Sequence, residues 1–462
     1  MVKIKFLGAA GTVTGSMYLF DIDGKKFILE SGMFQGPHEI EERNYNELPF
    51  DPSEIDYIVV THGHLDHIGM IPRIVAEGFN GEIITTSATR DIASIMLLDS
   101  AKLQEEEAYA LTKRNERRGL PPVEPLYDVS DAVMSLKHFT KVPGYGETFT
   151  LFDSVEITFR DAGHILGSAF VEMKFKNGPK FVFSGDLGNY DKPIVRDPDA
   201  PVMKDADYVM METTYGNRVH KSIKESVEEL KEAILDTFAR GGNVVIPSFA
   251  LERAQDILYY LREFYEQGIL PHGTQVFLDS PLAISATRIF KAHPECYDDE
   301  ARELLKEHKD PFAFPGLKFT RSVEESKKIN NITSGAIIIA GSGMCTGGRI
   351  KHHLKHNLWR KESSVVFVGY QAKGTLGREI IEGRDRVTIY GEEVQVRAKI
   401  YTINGFSSHA GQDGLLDWAS RFENPTYILV HGEPESTEAF GEILKSKGKK
   451  IHIPEYLEEI EL

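Results

Sequence analysis

Four side chains that bind metal ions well, His62, His64, Asp66 and His67, fall within the six residues His62-Gly63-His64-Leu65-Asp66-His67. Imidazole nitrogens hold zinc at about 2.0–2.1 Å and carboxylate oxygens at about 2.0–2.2 Å. In a tight turn, His62 and His64 can face one way while Asp66 and His67 face another, which suits two adjacent ions. A binuclear centre needs further ligands, one of them bridging. Candidates are His164, in Asp161-Ala162-Gly163-His164-Ile165-Leu166-Gly167-Ser168, and Asp186, in Phe183-Ser184-Gly185-Asp186-Leu187-Gly188. Either residue alone would read as a turn residue; the upstream cluster is what makes both candidate ligands. Two ions about 3.5–4 Å apart can lower the pKa of a water towards ~7 and relieve charge on a reacting phosphate. That is the chemistry of hydrolysis.

These residues require strands that end beside one another. The apolar run Ile55 to Val60 predicts a buried strand that stops at Thr61 and His62. Lys3 to Leu7, Ser16 to Asp21 and Lys26 to Leu29 predict strands before it, and Thr89 to Arg118 predicts a helix stopped by Gly119 and Pro121. Strands resume at Val155 to Arg160, Ala169 to Phe175 and Lys180 to Phe183, the first and third leading into His164 and Asp186. From about Asp207 strands and helices alternate, which predicts a mainly parallel sheet covered by helices. After Lys399 two strand-loop-helix units lead into His409 and His431.

With 462 residues the chain exceeds one ordinary core, so two domains, or one domain with a large insert, are expected. There are 53 Lys and Arg against 70 Asp and Glu, a formal charge of −17, which argues against binding nucleic acid by bulk charge alone. A metal centre or a local basic patch can still reverse the sign at a site. Two cysteines cannot build a disulfide framework, and no apolar stretch has signal-peptide or bilayer-spanning length; a soluble, cytoplasmic protein without a membrane partner is expected.

The His62–His67 string and the words around His164 and Asp186 resemble the metallo-β-lactamase superfamily. That resemblance implies an α/β fold, an αβ/βα sandwich with a dinuclear zinc site at its strand ends. It implies that His62, His64 and His164 hold one zinc, that Asp66 and His67 hold the other, and that Asp186 bridges them: two Zn2+ per chain.

The sequence between Asp186 and the C-terminus resembles the β-CASP group of nucleases, at Met211-Glu212-Thr213-Thr214-Tyr215-Gly216, Ile246 to Gln255, Asp279-Ser280-Pro281, Gly341 to Arg349 and Gly374 to Arg378. Compact prokaryotic members, related to RNase J and to the cleavage and polyadenylation nuclease, are the nearest in kind. The resemblance implies a metallo-β-lactamase domain in two parts, residues 1–207 and 399–462, around an inserted α/β β-CASP domain at 208–398. Glu212 matches the acidic residue of motif A, His409 the histidine of motif B, and His431 that of motif C, which would complete the second zinc. DNA-directed relatives of the Artemis type lack a histidine there, so His431 favours RNA. The implied activity is zinc-dependent hydrolysis of single-stranded RNA to 5′-phosphate and 3′-hydroxyl ends, in RNA processing or decay. Asp66 acts at the metals, and His409 serves as proton donor, oriented and kept cationic by Glu212. Endonuclease action is expected because the extra domain of RNase J is not found. A 5′-exonuclease, a catalytically weak RNA-binding subunit and a small-ester hydrolase are the competing readings. A homodimer is expected because dimers are common in the group.

Phosphate contacts are expected from Ser248, Arg253, Ser342, Arg349, Lys373 and Arg378, with the Gly-rich turn at 341–348 offering backbone N–H groups. Phe249 and Tyr370 could stack on bases, and Cys345 reads as a packed residue. The family's first motif places an Asp after its second strand, a residue that orients metal ligands. Glu30 stands there instead, and its extra methylene must fold back or displace a neighbour. On this reading Glu30→Asp raises zinc retention or turnover.

Overall fold

The computed structural model describes residues 1–462. Two compact units divide the chain: Met1–Tyr190 with Asp197–Val219 and His409–Leu462, and Asp191–Arg196 with His220–Ser408.

The first unit contains two seven-stranded sheets. One is built from β1 (Val2–Phe6), β2 (Tyr18–Ile22), β3 (Lys25–Leu29), β4 (Ile55–Val59), β5 (Glu82–Ile84) and β6 (Phe139–Lys141), with β22 (Glu459–Glu461) beside β1. The other runs from β7 (Thr148–Leu151) through β8 (Val155–Asp161), β9 (Ala169–Phe175), β10 (Lys180–Phe183) and β11 (Tyr208–Glu212) to β20 (Thr426–Val430) and β21 (Lys450–His452). Alternation decides what each strand buries. Ile4, Phe6, Phe20 and Phe27 from the first sheet share one core with Phe159, Val171, Phe181 and Met210 from the second. Phe20 stacks on Phe27 at 4.7 Å and meets Phe181 edge-on at 5.5 Å across the sandwich. The opposite faces carry helices. Ile58, Ile71, Ile74 and Leu97 form the layer on the first sheet, and Val182, Val209, Leu415 and Trp418 that on the second. This is the α/β sandwich expected from the sequence.

The second unit holds a six-stranded sheet in the order β14 (Leu317–Phe319), β13 (Gln275–Leu278), β15 (Ala336–Ala340), β12 (Val244–Pro247), β16 (Ser364–Phe367) and β19 (Lys399–Thr402). Every pairing is parallel. Its four inner strands, β13, β15, β12 and β16, are near-continuous buried runs, such as the fully buried Ala336–Ala340, as a parallel sheet covered on both faces requires. The edge strands β14 and β19 are exposed or half-buried. A hairpin of β17 (Arg386–Ile389) and β18 (Glu392–Gln395) completes the unit.

The division differs from boundaries at 207/208 and 398/399 by one strand at each end. β11 pairs with β10 and β20 and so belongs to the sandwich; β19 pairs with β16 and so belongs to the insert. An apolar strand reads alike in either sheet, and its membership is set by a partner distant in sequence. No helix is long and apolar enough to cross a membrane.

Candidate metal centre

β4 ends at Val59, and the chain turns through Thr61 to His64 into a one-turn helix, Leu65–Ile68. That helix is tied to the segments before β2 and after β3: Ser16 N–H donates to Asp66 O at 2.9 Å and Ser31 N–H to His67 O at 2.7 Å. Gly32 passes so close that a Cβ there would lie 1.6 Å from Asp66 O, so only glycine fits. β8 leads to the loop bearing His164, β10 to Asp186, β11 ends on Glu212 and β20 delivers His431. Gly188 bridges to His409, and Ala410 N–H donates to Leu187 O at 2.8 Å, which seats His409 beside the Asp186 loop.

The side chains converge in four overlapping groups whose ligand atoms lie within 4.8 Å of one another: His62, His64, His164 and Asp186; Asp66, His67 and His431; Asp186, Glu212 and His409; Glu30, His62 and His67. His64 Nδ1 lies 3.1 Å from His62 Nε2 and 3.2 Å from His164 Nε2, while His67 Nε2 faces His431 Nε2 at 3.2 Å. Asp186 Oδ2 is 3.4–3.6 Å from His62, His67 and His164, and its Oδ1 is 3.5 Å from His431 Nδ1. Asp186 thus faces both the His62–His164 pair and the His67–His431 pair. Its buried Oδ1 has no hydrogen-bond donor. Lone-pair nitrogens pointed at one another and a buried carboxylate oxygen without a donor are what a cation site presents.

Electrostatics agree. Burial, aided by the neighbouring His67, pushes His62 well below the ordinary histidine value, and burial pushes His64 down to about 4, so both are neutral and ready to ligate. Burial opposes charge on Asp186 too, but His431 and His67 outweigh it and hold the carboxylate ionised. At His67 burial is in turn overcome by Asp186, Glu30 and Asp66, which hold it well above the ordinary histidine value, so cationic charge collects where a metal would stand. At His409 burial is outweighed by Glu212 and Asp186, which raise it to about 9. Glu212 Oε2 is 3.2 Å from His409 Nδ1, and its Oε1 accepts from Leu187 N–H at 2.6 Å.

Glu30 displaces nothing. Its backbone takes the left-handed conformation (φ 64°), one oxygen accepts from Thr61 N–H at 2.7 Å, and the other accepts from His67 Nδ1 at 2.7 Å. The extra methylene is what spans both donors. Burial pushes this carboxyl up, yet two N–H donors on two oxygens leave the ionised form the one that fits.

Two residues in this shell escape a sequence reading. Thr61 Oγ1 lies 3.0 Å from His62 Nδ1. Thr214 Oγ1 donates to His431 O at 3.1 Å and lies 3.0 Å from His431 Nδ1. With its one proton given to a carbonyl, the Thr214 hydroxyl accepts from Nδ1–H, which leaves Nε2 bare for a metal. Position next to a ligand, or two residues after the motif glutamate, was the available signal.

Most expected phosphate contacts are occupied elsewhere. Arg349 donates to Asp279 Oδ1 at 2.7 Å, Thr320 O at 3.0 Å and Arg321 O at 2.7 Å, so it braces the Gly-rich turn against β13. Arg253 is buried and donates to Val368 O. Ser248 is buried with its hydroxyl on Phe249 O, and Ser342 Oγ accepts from Thr346 and Gly347 N–H inside the turn. Arg378 pairs with Glu382 at 2.7 Å. A basic residue after a glycine-rich turn has the same sequence signature whether it faces ligand or scaffold. Lys373 is exposed. Cys345 is fully buried, and burial pushes its thiol up to about 12, as a packed residue requires.

Residues 10–247 match the metallo-beta-lactamase superfamily, 254–380 the Beta-Casp domain, and 393–454 the Zn-dependent metallo-hydrolase RNA specificity domain. The chain belongs to the metallo-beta-lactamase superfamily. Within that superfamily it carries the Beta-Casp insert. It is 39% identical over 459 residues to Ribonuclease TTHA0252 of Thermus thermophilus, covering 99% of this chain and 100% of that one. It is 29% identical to Transcription termination factor FttA of Methanocaldococcus jannaschii, covering 99% of this chain and 71% of that one. A crystal structure of a protein of unknown function from Enterococcus faecalis V583 superposes with a TM-score of 0.56 at 11% identity over 100% of both chains, which supports the fold.

Proposed function

We propose that this protein is a zinc-dependent endoribonuclease that hydrolyses single-stranded RNA to 5′-phosphate and 3′-hydroxyl ends. The observation that carries this reading is the convergence of His62, His64, Asp66, His67, His164, Asp186 and His431 on one point, with His409 and Glu212 beside it. The relative named a ribonuclease, similar along its whole length, supports RNA as the substrate.

His62, His64, His164 and Asp186 would hold one Zn2+, and Asp66, His67, His431 and Asp186 the other. Bound, the pair supplies a water nucleophile at neutral pH and charge relief at the phosphoryl oxygens. Glu30, Thr61 and Thr214 fix the ligand imidazoles in ring orientation and tautomer. Glu212 holds His409 Nδ1–H, so Nε2 is the nitrogen that delivers a proton to the departing 3′ oxygen. A carboxylate beside a partly exposed imidazole keeps it cationic, the state a general acid needs.

The test is digestion of one RNA labelled at either end, with 5′-hydroxyl, monophosphate and triphosphate forms compared. Internal cuts independent of the 5′ group, leaving 5′-phosphates, are expected. Stepwise loss from a 5′-monophosphate would replace endonuclease by exonuclease action, and intact RNA with a fully metallated sample would remove the proposal.

A further inference from the structure

We propose that the second unit carries a stacking platform for one or two unpaired nucleobases, formed by Phe249 and Tyr370 at the carboxyl edge of its parallel sheet. The inference rests on the ribonuclease reading and specifies where that unit grips its substrate.

Topology singles out the place. β12 comes first in the sheet, the chain then lays β13, β14 and β15 on one side of it, and only afterwards β16 and β19 on the other. Open parallel sheets take ligands at the carboxyl ends of strands beside such a reversal. Phe249 follows β12 by two residues, and Tyr370 follows the neighbouring β16 by three. Both are apolar rings in water, 44% and 52% exposed.

Neighbouring loops are shaped around the first ring. A Cβ on Gly343 would lie 2.8 Å from Phe249 Cδ2, so the ring rests against backbone that only glycine leaves open. A Cβ on Gly369 would lie 3.9 Å from the same ring. The Gln371 amide donates to Gly343 O at 3.0 Å and to Gly369 O at 3.1 Å, lashing together the loops after β15 and β16 whose glycines lie against the Phe249 ring. Arg349 anchors the far end of the first loop to Asp279. A ring backed by rigid backbone and open to solvent loses little freedom on stacking, and every base offers a π-face. Lys373, exposed three residues past Tyr370, is suited to the adjoining phosphate.

The test measures binding of a fluorescent oligouridylate of about a dozen nucleotides to the full chain bearing Asp66→Ala, with Phe249→Leu, Tyr370→Leu, Phe249→Trp or Lys373→Ala added. Trp359→Leu is the control: this exposed aromatic precedes β16 and so sits at the opposite, amino edge. Phe249→Leu and Tyr370→Leu should each bind roughly 5- to 150-fold more weakly with an unchanged salt slope, and Phe249→Trp should bind as tightly as Phe249. Lys373→Ala should flatten the slope by ~0.7. An abasic strand should bind the parent and the leucine variants equally. Leucine variants that bind uridylate like the parent, or lose no more than Trp359→Leu, would overturn the platform while leaving the ribonuclease reading intact. A wild-type chain that neither binds nor cuts RNA would overturn both.

Discussion

Replacing Glu30 by Asp should weaken the metal centre, the reverse of what the family pattern suggests. The Glu30 carboxylate spans two donors at 2.7 Å each, Thr61 N–H and His67 Nδ1–H, from a fully buried position. Removing one methylene withdraws both oxygens by about 1.5 Å, to distances at which neither bond survives. Hydrogen bonds to a charged group are worth about 1.5–3 kcal/mol each. Loss of a carboxylate that orients a ligand histidine typically costs about 10–100-fold in metal affinity, or roughly 1.4–2.7 kcal/mol. One term opposes this. Residue 30 is left-handed, a conformation Asp adopts several-fold more readily than Glu, worth roughly 0.5–1 kcal/mol. The lost bonds win. Zinc affinity by chelator competition, read as two separate sites, should show the His67 site weakened about 10-fold or more and the His62–His64–His164 site nearly unchanged. Equal or tighter binding at the His67 site would refute the claim that the longer side chain is required.

Thr214→Val keeps the shape and removes the acceptor for His431 Nδ1–H; zinc titration should show the same site weakened, with RNA binding preserved. His409→Ala should lower kcat by about 10²–10⁴-fold without changing RNA affinity. Because Glu212 helps raise His409 to about 9, and bound dications would draw it lower, activity should fall as pH rises towards that value, and Glu212→Gln should move the fall to lower pH. In the second unit burial pushes the Asp279 carboxyl up, but hydrogen bonds from His353, Ser326, Thr320 and Arg349 hold it at about 2. A depressed carboxyl stabilises the fold above its unfolded value of roughly 3.9, and that contribution fades as pH falls towards about 2. The stability gap between wild type and Asp279→Asn, followed by denaturant unfolding, should therefore narrow across that interval; a constant gap would show that the ionised form is not what stabilises.

The sequence by itself determined the strand that ends at Thr61, the ligand string after it and the apolar runs of both sheets. Each is a local property: side-chain type, alternation over a few residues, and a stop signal. It also picked out Asp186, His164, His409 and His431 as polar residues at strand ends, and Glu212 by its likeness to a family motif. Only the tertiary structure decided that they meet, since His67 and His431 stand 364 residues apart and approach to 3.2 Å. Only it decided that Arg349 and Arg253 turn inward, that β11 and β19 join opposite sheets, and that Glu30 fits a gap sized for its own length. Residue type sets what a group can donate, accept or ligate, whereas its partner depends on contacts between distant parts of the chain, which no local pattern encodes.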